Sequence, residues 1–202
     1  MKTFLLPGIA LLLLAACSTE PAKPTAPVVK EPEYLLGRTA FQKMYVASRG
    51  WNRDAQGFRL MSALTKDSKG HAGKSGVWQA TFASAAHNTA KPYTWCGSND
   101  ADVDRGVTPG SEDTYSPTNT STHVFDIAFL KIDSDDAYQT ALKHGGAKLL
   151  EQNADQPVLY LLLWSAADNS LVWHVIFGES RNDFKLSVLV NASSGDYLRV
   201  EK

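Results

Sequence analysis

Five histidines, His71, His87, His123, His144 and His174, are the residues best suited to acid–base or metal chemistry, and their spacing offers neither. No H-x-x-x-H or H-x-H pair occurs, so a zinc site or a triad would need three unrelated places to converge. There is no G-x-S-x-G elbow for a nucleophilic serine and no paired-glycine nucleotide fingerprint. The segment Lys66 to Gly76 holds Gly70, Gly73, Lys74 and Ser75, the residue types of a phosphate-cradling loop. Its glycines stand too close for G-x-x-x-x-G-K-[ST], and a strand pattern follows it where a helix is required, so it reads as a hairpin loop. Asp100, Asp102 and Asp104 set acids at every second position, as calcium loops do. The glycine comes seventh, at Gly106, and Ser111 stands where the twelfth-position Glu belongs, which leaves a solvated acidic loop. Cys96, after Trp95, has no identifiable basic neighbour to lower its pKa and reads as a quiet, partly buried thiol. The expectation is a protein without catalytic residues, metal or cofactor, and not an enzyme.

Cys17 is the one residue with a specific chemical assignment. Lys2 supplies a positive start, Phe4 to Leu14 an apolar run, and Leu14-Ala15-Ala16-Cys17 resembles the bacterial lipobox. That resemblance implies a signal peptide over residues 1–16 and a lipidated Cys17 as the mature N-terminus. The apolar run is shorter than the ~20 residues a spanning helix needs. Acyl chains that bury methylenes at ~0.8 kcal/mol apiece make a multiply acylated cysteine a stable tether by themselves. Ser18 stands where an inner-membrane retention signal of this type carries Asp, so the resemblance implies the outer membrane, facing the periplasm. Pro21, Pro24, Pro27 and Pro32 lie among Ala, Thr, Lys and Glu, and residues 17–34 read as an extended spacer holding the folded part off the bilayer.

The remaining composition is that of a globular protein: 202 residues, 44% hydrophobic and 20% charged, enough for one core or two small ones. The formal net charge of −1 becomes −2 when Lys2 is removed, so no long-range field selects nucleic acid. With Cys17 committed to lipid, Cys96 has no intramolecular partner, and neither a disulfide framework nor a cysteine metal site can be built.

The elements that must position any site are repeated. Val77-Trp78-Gln79-Ala80-Thr81-Phe82 returns as Val172-Trp173-His174-Val175-Ile176-Phe177. In an extended strand Trp78, Ala80 and Phe82 share one face, as do Trp173, Val175 and Phe177, so each strand presents a Trp and a Phe to a core, and His174 points the other way. Upstream of each lies a helical pattern and an apolar strand. The first helix is expected over Tyr34 to Arg49 with Gly50 as its stop, and the second follows the N-cap Asp133 and ends at Gly145-Gly146. Ala40-Phe41-Gln42 and Ala137-Tyr138-Gln139 correspond between the two. The apolar strands are Phe58 to Thr65, which alternates, and Val158 to Trp164, which is apolar throughout and belongs mid-sheet. Closing strands are expected over Phe125 to Ile132 and Phe184 to Val190. The periodicities predict an α+β chain of two tandem helix-plus-antiparallel-sheet units related by internal duplication, at 35–133 and 134–202. The first carries an inserted loop over 83–122, whose start can prolong the Trp78 strand and pair with Lys91 to Cys96.

The run Val172 to Val175, followed by Ser187-Val188-Leu189-Val190-Asn191-Ala192-Ser193-Ser194-Gly195-Asp196, resembles the end of a PepSY domain. There a tryptophan-bearing strand precedes one that closes in a Val-Asp-Ala-x-Thr-Gly turn. Asn191 replaces the Asp and Ser194 the Thr. The resemblance implies PepSY/cystatin-like units, small antiparallel sheets on a helix, with no catalytic residue to carry over. It implies a lipid-anchored envelope module that recognises protein or peptide, through a free sheet edge or the concave sheet face. Two alternatives stand beside it: a protease inhibitor or propeptide-like regulator of an envelope peptidase, and a metal-dependent enzyme using the acidic insertion.

Overall fold

In the computed structural model, which describes residues 30–99 and 102–201, the chain is α+β with one large antiparallel sheet. The signal peptide, Cys17 and most of the proline-rich spacer lie outside the described residues. From Glu31 onward the chain forms one compact unit.

The strands are β1 (Leu35–Leu36), β2 (Gln56–Ala63), β3 (Lys74–Ser75), β4 (Val77–Ser84), β5 (Thr89–Cys96), β6 (Gly106–Pro109), β7 (Asp113–Thr114), β8 (Val158–Ser165), β9 (Ser170–Gly178), β10 (Phe184–Asn191) and β11 (Tyr197–Glu201). The α-helices are α1 (Gly37–Trp51), α2 (Ser134–Ala141) and α3 (Ala147–Gln152). Nine strands form one sheet in the order β11-β10-β9-β8-β2-β4-β5-β6, with β7 also on β5; β1 and β3 form a separate pair. The first and second halves of the chain meet at β2 and β8, through Arg59↔Leu163, Leu60↔Leu162 and Met61↔Leu161. The apolar Val158 strand thus sits mid-sheet, where its lack of polar alternation belongs.

All helices lie on one face. Ala40, Phe41, Met44 and Ser48 recur at helical spacing on α1 and face the sheet. They join Ala137 and Ala141 of α2 and the inward residues Leu60, Trp78, Phe82, Tyr160, Leu162, Trp173 and Phe177 in one core. Trp78 and Trp173 are both fully buried and meet edge to face with ring centroids 6.4 Å apart. At ~25 cal/mol per Å² of apolar area, each buried indole contributes about 4–6 kcal/mol, an upper value since an unfolded chain already hides some area. Each also donates its Nε1–H to a carbonyl two residues ahead of a helix, Trp78 to Leu35 at 2.9 Å and Trp173 to Ile132 at 3.0 Å.

Those helix starts meet. Asp133 Oδ1 accepts from its own helix at Ser134 N (2.7 Å) and from α1 at Arg38 N (2.8 Å). Ser134 Oγ accepts from Gly37 N at 2.8 Å and donates to the Gly73 carbonyl at 2.6 Å. Gly37 has no room for a side chain, since a Cβ there would lie 2.6 Å from the Trp173 ring.

Three local expectations differ from the structure. Helix α1 runs past Gly50 to Trp51, because Trp51 packs against the core and its Nε1–H bonds Glu112 at 2.8 Å. The second helix bends at Gly145-Gly146 instead of ending. A π-turn over Leu142–Gly146 leads into α3, with Gly145 at φ +112° and Gly146 against the Phe177 ring. Phe125 to Ile132 is not a strand: Phe125 makes a single bridge to Gly57, and Ile127–Phe129 is a 3₁₀ turn. The start of 83–122 prolongs β4 and pairs with Lys91 to Cys96 as expected, through a four-residue turn with Asn88 at φ +54° that leads into β5. The physical reason is the alternation of Tyr93 and Trp95, whose inward side chains pair opposite Ala80 and Trp78. The terminal strand β11 was not anticipated by the turn at Ser193 to Asp196.

Asp133→Ala removes the acceptor of two helix N-termini at once and leaves the Arg38 and Ser134 N–H groups in a nearly water-free place. A loss of about 2–4 kcal/mol in urea unfolding is expected, with Asp133→Asn losing less. A cost under about 0.5 kcal/mol would remove the shared cap from its structural role.

Candidate functional site

The sheet face opposite the helices carries a second, smaller apolar cluster of Leu159, Leu161 and Ile176, with Met61, Leu64, Leu163 and Phe184 partly buried around it. Strand alternation puts these residues there, because each neighbours an inward one. The ladder registers align one continuous row across eight strands of this face: Arg199, Leu189, His174, Leu161, Met61, Gln79, Thr94, Thr108. The adjoining row is Asn191, Val172, Leu163, Arg59, Thr81, Pro92. The β8–β10 part of the face is therefore mainly aliphatic with His174 and Asn191 set into it, β11 is charged, and the β4–β6 part is hydroxyl- and amide-bearing, with Arg59 and Met61 of β2 on the boundary. Segment 110–116 turns over the outer corner of the face, where Gly110 N bonds the Pro92 carbonyl and Tyr115 stacks on Phe58.

Charge on this face is uneven. Arg199 Nη1 donates to both oxygens of Asp168 at 2.7 and 2.8 Å, and its Nε lies 3.7 Å from Glu201. Those bonds from Arg199, then one from Ser165, hold the Asp168 carboxyl below the usual carboxylate range. Arg59 is half-buried, and among the described residues its side chain donates to the Met61 sulfur alone, at 3.3 Å. Burial first, and the nearby Arg181 second, lower its pKa, although a guanidinium stays charged. Arg181, exposed in the turn between β9 and β10, acts on His174 as well. Among the described residues no carboxylate pairs with Arg59 or Arg181.

His174 stands on the face opposite Trp173, as its alternation requires, and its side chain is 16% exposed. Burial first, then Arg181 and Arg199, push its pKa down to about 4. The imidazole is thus uncharged at neutral pH, and its 3.9 Å approach to Glu201 is not an ion pair there.

The other candidate residues lie apart. His71 Nε2 bonds the Gln156 carbonyl at 2.9 Å, and His144 stacks on Tyr197 with centroids 3.7 Å apart. Cys96 is buried and its Sγ–H meets the Ser98 carbonyl, an environment without a base. Of the acidic pattern, Asp100 lies outside the described residues and Asp102 and Asp104 are exposed. Among the described residues no group of three or more His, Cys, Asp or Glu could hold a metal, and no helix is long and apolar enough to cross a membrane. The glycine-rich segment packs more tightly than a free hairpin loop: Gly73 N–H donates to the Tyr160 hydroxyl oxygen at 3.0 Å, and a Cβ on Gly73 would lie 2.3 Å from the Asp135 nitrogen. Trp78 and Trp173 are core residues, not a stacking platform. Arg59 and Arg181 were not singled out in the sequence. The readable signal for Arg59 was its place on the less apolar side of an alternating strand.

The sequence matches no family model and no curated protein. The fold is similar to that of a solved structure from Clostridium difficile 630, the “putative lipoprotein (CD1622)”, with a TM-score of 0.51 and 13% identity. The alignment covers 80% of this chain and 91% of that one. At that identity the likeness establishes a shared α+β fold and nothing further.

A pH prediction follows from His174. Its folded pKa of about 4 lies below the ordinary value of 6.5, so the unfolded chain binds the extra proton as pH falls through that window. Stability present above pH ~6.5 is lost on the way to pH ~4, by about 2–3 kcal/mol. His174→Leu should flatten this slope in urea unfolding at pH 7, 5.5 and 4.5. The further loss below pH ~4 should persist, since Asp54, Asp67 and Asp168 have lowered pKa values whose stabilisation fades with acid. An unchanged slope between pH 6.5 and 4.5 would refute the assignment.

Proposed function

We propose that the chain is a non-enzymatic, lipid-anchored module of the bacterial cell envelope that recognises a protein or peptide through the helix-free face of its sheet. The observation that carries this reading is the asymmetry of the sheet. One face is sealed by α1 and α2, while the other leaves Met61, Leu163 and Phe184 half-covered around a buried aliphatic cluster. Edge strand β11, hydrogen-bonded on one side only, adjoins that face and suits strand addition. Lipidation of Cys17 rests on the lipobox-like sequence, with the name of the similarly folded protein from Clostridium difficile as weak support. Placement in the outer membrane, facing the periplasm, rests on Ser18.

Two PepSY-like units related by duplication are part of the same proposal. In support, each half runs helix, then three antiparallel strands, with β2, β4 and β5 answered by β8, β9 and β10. Trp78 and Trp173 occupy corresponding strands and bond carbonyls at corresponding places before their helices.

Two experiments test the reading. Cys17→Ser should shift the chain from the membrane to the soluble fraction of the cell envelope, and unaltered membrane retention with no acyl mass on wild-type Cys17 would overturn the anchor. Gln79, exposed at the middle of the open face, should tolerate Arg without loss of fold. Capture of an envelope protein by the full chain should drop at least about tenfold in Gln79→Arg, an interface loss of about 1.4 kcal/mol or more. Undiminished capture would exclude the open face as the binding surface.

A further inference from the structure

Resting on the part of the reading above that gives β11 to strand addition, the geometry points to a peptide-binding cleft between α3 and the β10–β11 edge, on the helix side of the sheet, built for an extended segment with an apolar residue between two acidic ones. The cleft measures about 500 Å³. Leu149, Leu186 and Val200 are its buried or half-buried floor, while Lys148 and Gln152 of α3 and Lys185 of β10 stand exposed around it. Its wall is the bend from α2 into α3, where Gly145 leaves open the space a side chain would take: a Cβ there would lie 3.3 Å from Leu186. His144 of the same wall stacks on Tyr197 at the start of β11, and Val200 lies near the strand's end, so the cleft follows the sheet edge.

Three observations choose the occupant. First, among the described residues no carboxylate lines the cleft, and neither Lys148 nor Lys185 has an acidic partner. Glu201 of β11 is no exception, because Val200 pairs with core-facing Val188 and sends its side chain to the helix side, which turns Arg199 and Glu201 to the open face. The cleft therefore attracts negative charge. Second, β11 ends the sheet and pairs with β10 alone, so the outer N–H and C=O groups of its backbone meet no strand among the described residues. A segment paired there turns every second side chain toward the cleft, the nearest about 5 Å from Val200. Third, the floor is aliphatic and short. One leucine-sized side chain covers it, and same-face neighbours about 7 Å to either side come within reach of the long stems of Lys148 and Lys185. A free anion gains nothing from the floor, and an acyl chain leaves the backbone groups of β11 unanswered, whereas a peptide uses floor, charge and edge together.

The test uses the full chain in nonionic detergent and a fluorescein-labelled peptide in which threonine alternates with glutamate, leucine and glutamate. The leucine and both acids then share one face of an extended strand. Saturable binding is expected by anisotropy, weakened at least about tenfold by glutamine in place of both glutamates, by serine in place of leucine, and by Lys148→Glu or Lys185→Glu, each at an exposed position. If either variant unfolds, the other decides. The N–H groups of alternate residues point to opposite edges of a strand, so methylating the backbone nitrogens of the threonines, or instead those of the glutamates and leucine, should abolish binding in one case and spare it in the other. No saturable binding up to about millimolar peptide, equal binding of the glutamine peptide, or tolerance of both methylation patterns would overturn the site. So would displacement by equimolar laurate, which would make an acyl carboxylate the ligand, or a concentration-dependent dimer that both charge reversals abolish, which would make a second copy the occupant. Gln79 lies on the other face, with four strands between β4 and β11, so its variant reads the open face separately. Capture of an envelope protein that Gln79→Arg blocks and both charge reversals spare would sink the cleft alone. Capture indifferent to all three would sink the open-face reading with it.

Discussion

The fold hangs on the meeting of two helix N-termini above two tryptophans. An N-terminus leaves several backbone N–H groups without partners and concentrates positive potential, so bringing two together is unfavourable unless an acceptor stands between them. Asp133 is that acceptor. One carboxylate oxygen takes an N–H from each helix, Ser134 adds a hydroxyl to Gly37, and the indole N–H groups of Trp78 and Trp173 satisfy the carbonyls just upstream. The result is polar but nearly closed to water, and it sits on the largest buried side chains in the molecule. Every other helix-to-sheet contact is fixed by where those helices begin.

This constraint explains why the open face is open. With both helix starts committed to one side, the six strands of the two halves join edge to edge into one sheet whose far side, among the described residues, is covered only at its outer corner, by segment 110–116. Strand β2 is the consequence at residue level. Leu60 and Ser62 face the tryptophan core, and Ser62 Oγ accepts the Tyr160 N–H beyond the end of the β2–β8 ladder. Arg59 and Met61 must then emerge on the other side, at the line where an aliphatic half meets a polar one. A stability-optimised sheet would put a threonine or a paired charge there. A half-buried arginine at that position, with no carboxylate pairing it among the described residues, departs from local optimisation, as functional positions do.

Much of this was legible in the residues. The duplicated Val-Trp-x-x-x-Phe pattern located two core strands and their inward faces, and the unbroken apolarity of Val158 to Trp164 located the middle of the sheet. What misled were local signals overridden by tertiary contacts. Gly50 reads as a stop, but Trp51 has a core to reach. Gly145-Gly146 reads as a stop as well, but its missing side chains let the helix bend against Phe177 and resume. Phe125 to Ile132 alternates like a strand, yet β5 already occupies the ladder position beside β4, and Phe125 instead stacks on Phe41 with centroids 5.5 Å apart. The unpaired Arg59 was illegible for a different reason: which carboxylates of other strands stand near it depends on the β2–β8 junction, which no local pattern announces.

That junction also bears on how binding and folding share residues. The two halves are joined through three registered pairs, Arg59, Leu60 and Met61 against Leu163, Leu162 and Leu161. The middle pair faces the core and holds the halves together by apolar contact, while the outer pairs face the open side. A partner strand lying across this line would touch both halves at once and add contacts where they are joined by three pairs alone. Binding there would stabilise the seam by mass action, since a ligand that meets only the joined state favours it over any opened one. Recognition would then draw on Arg59 and Met61, the two outer residues of the same three-pair seam whose middle residue, Leu60, holds the halves together in the core.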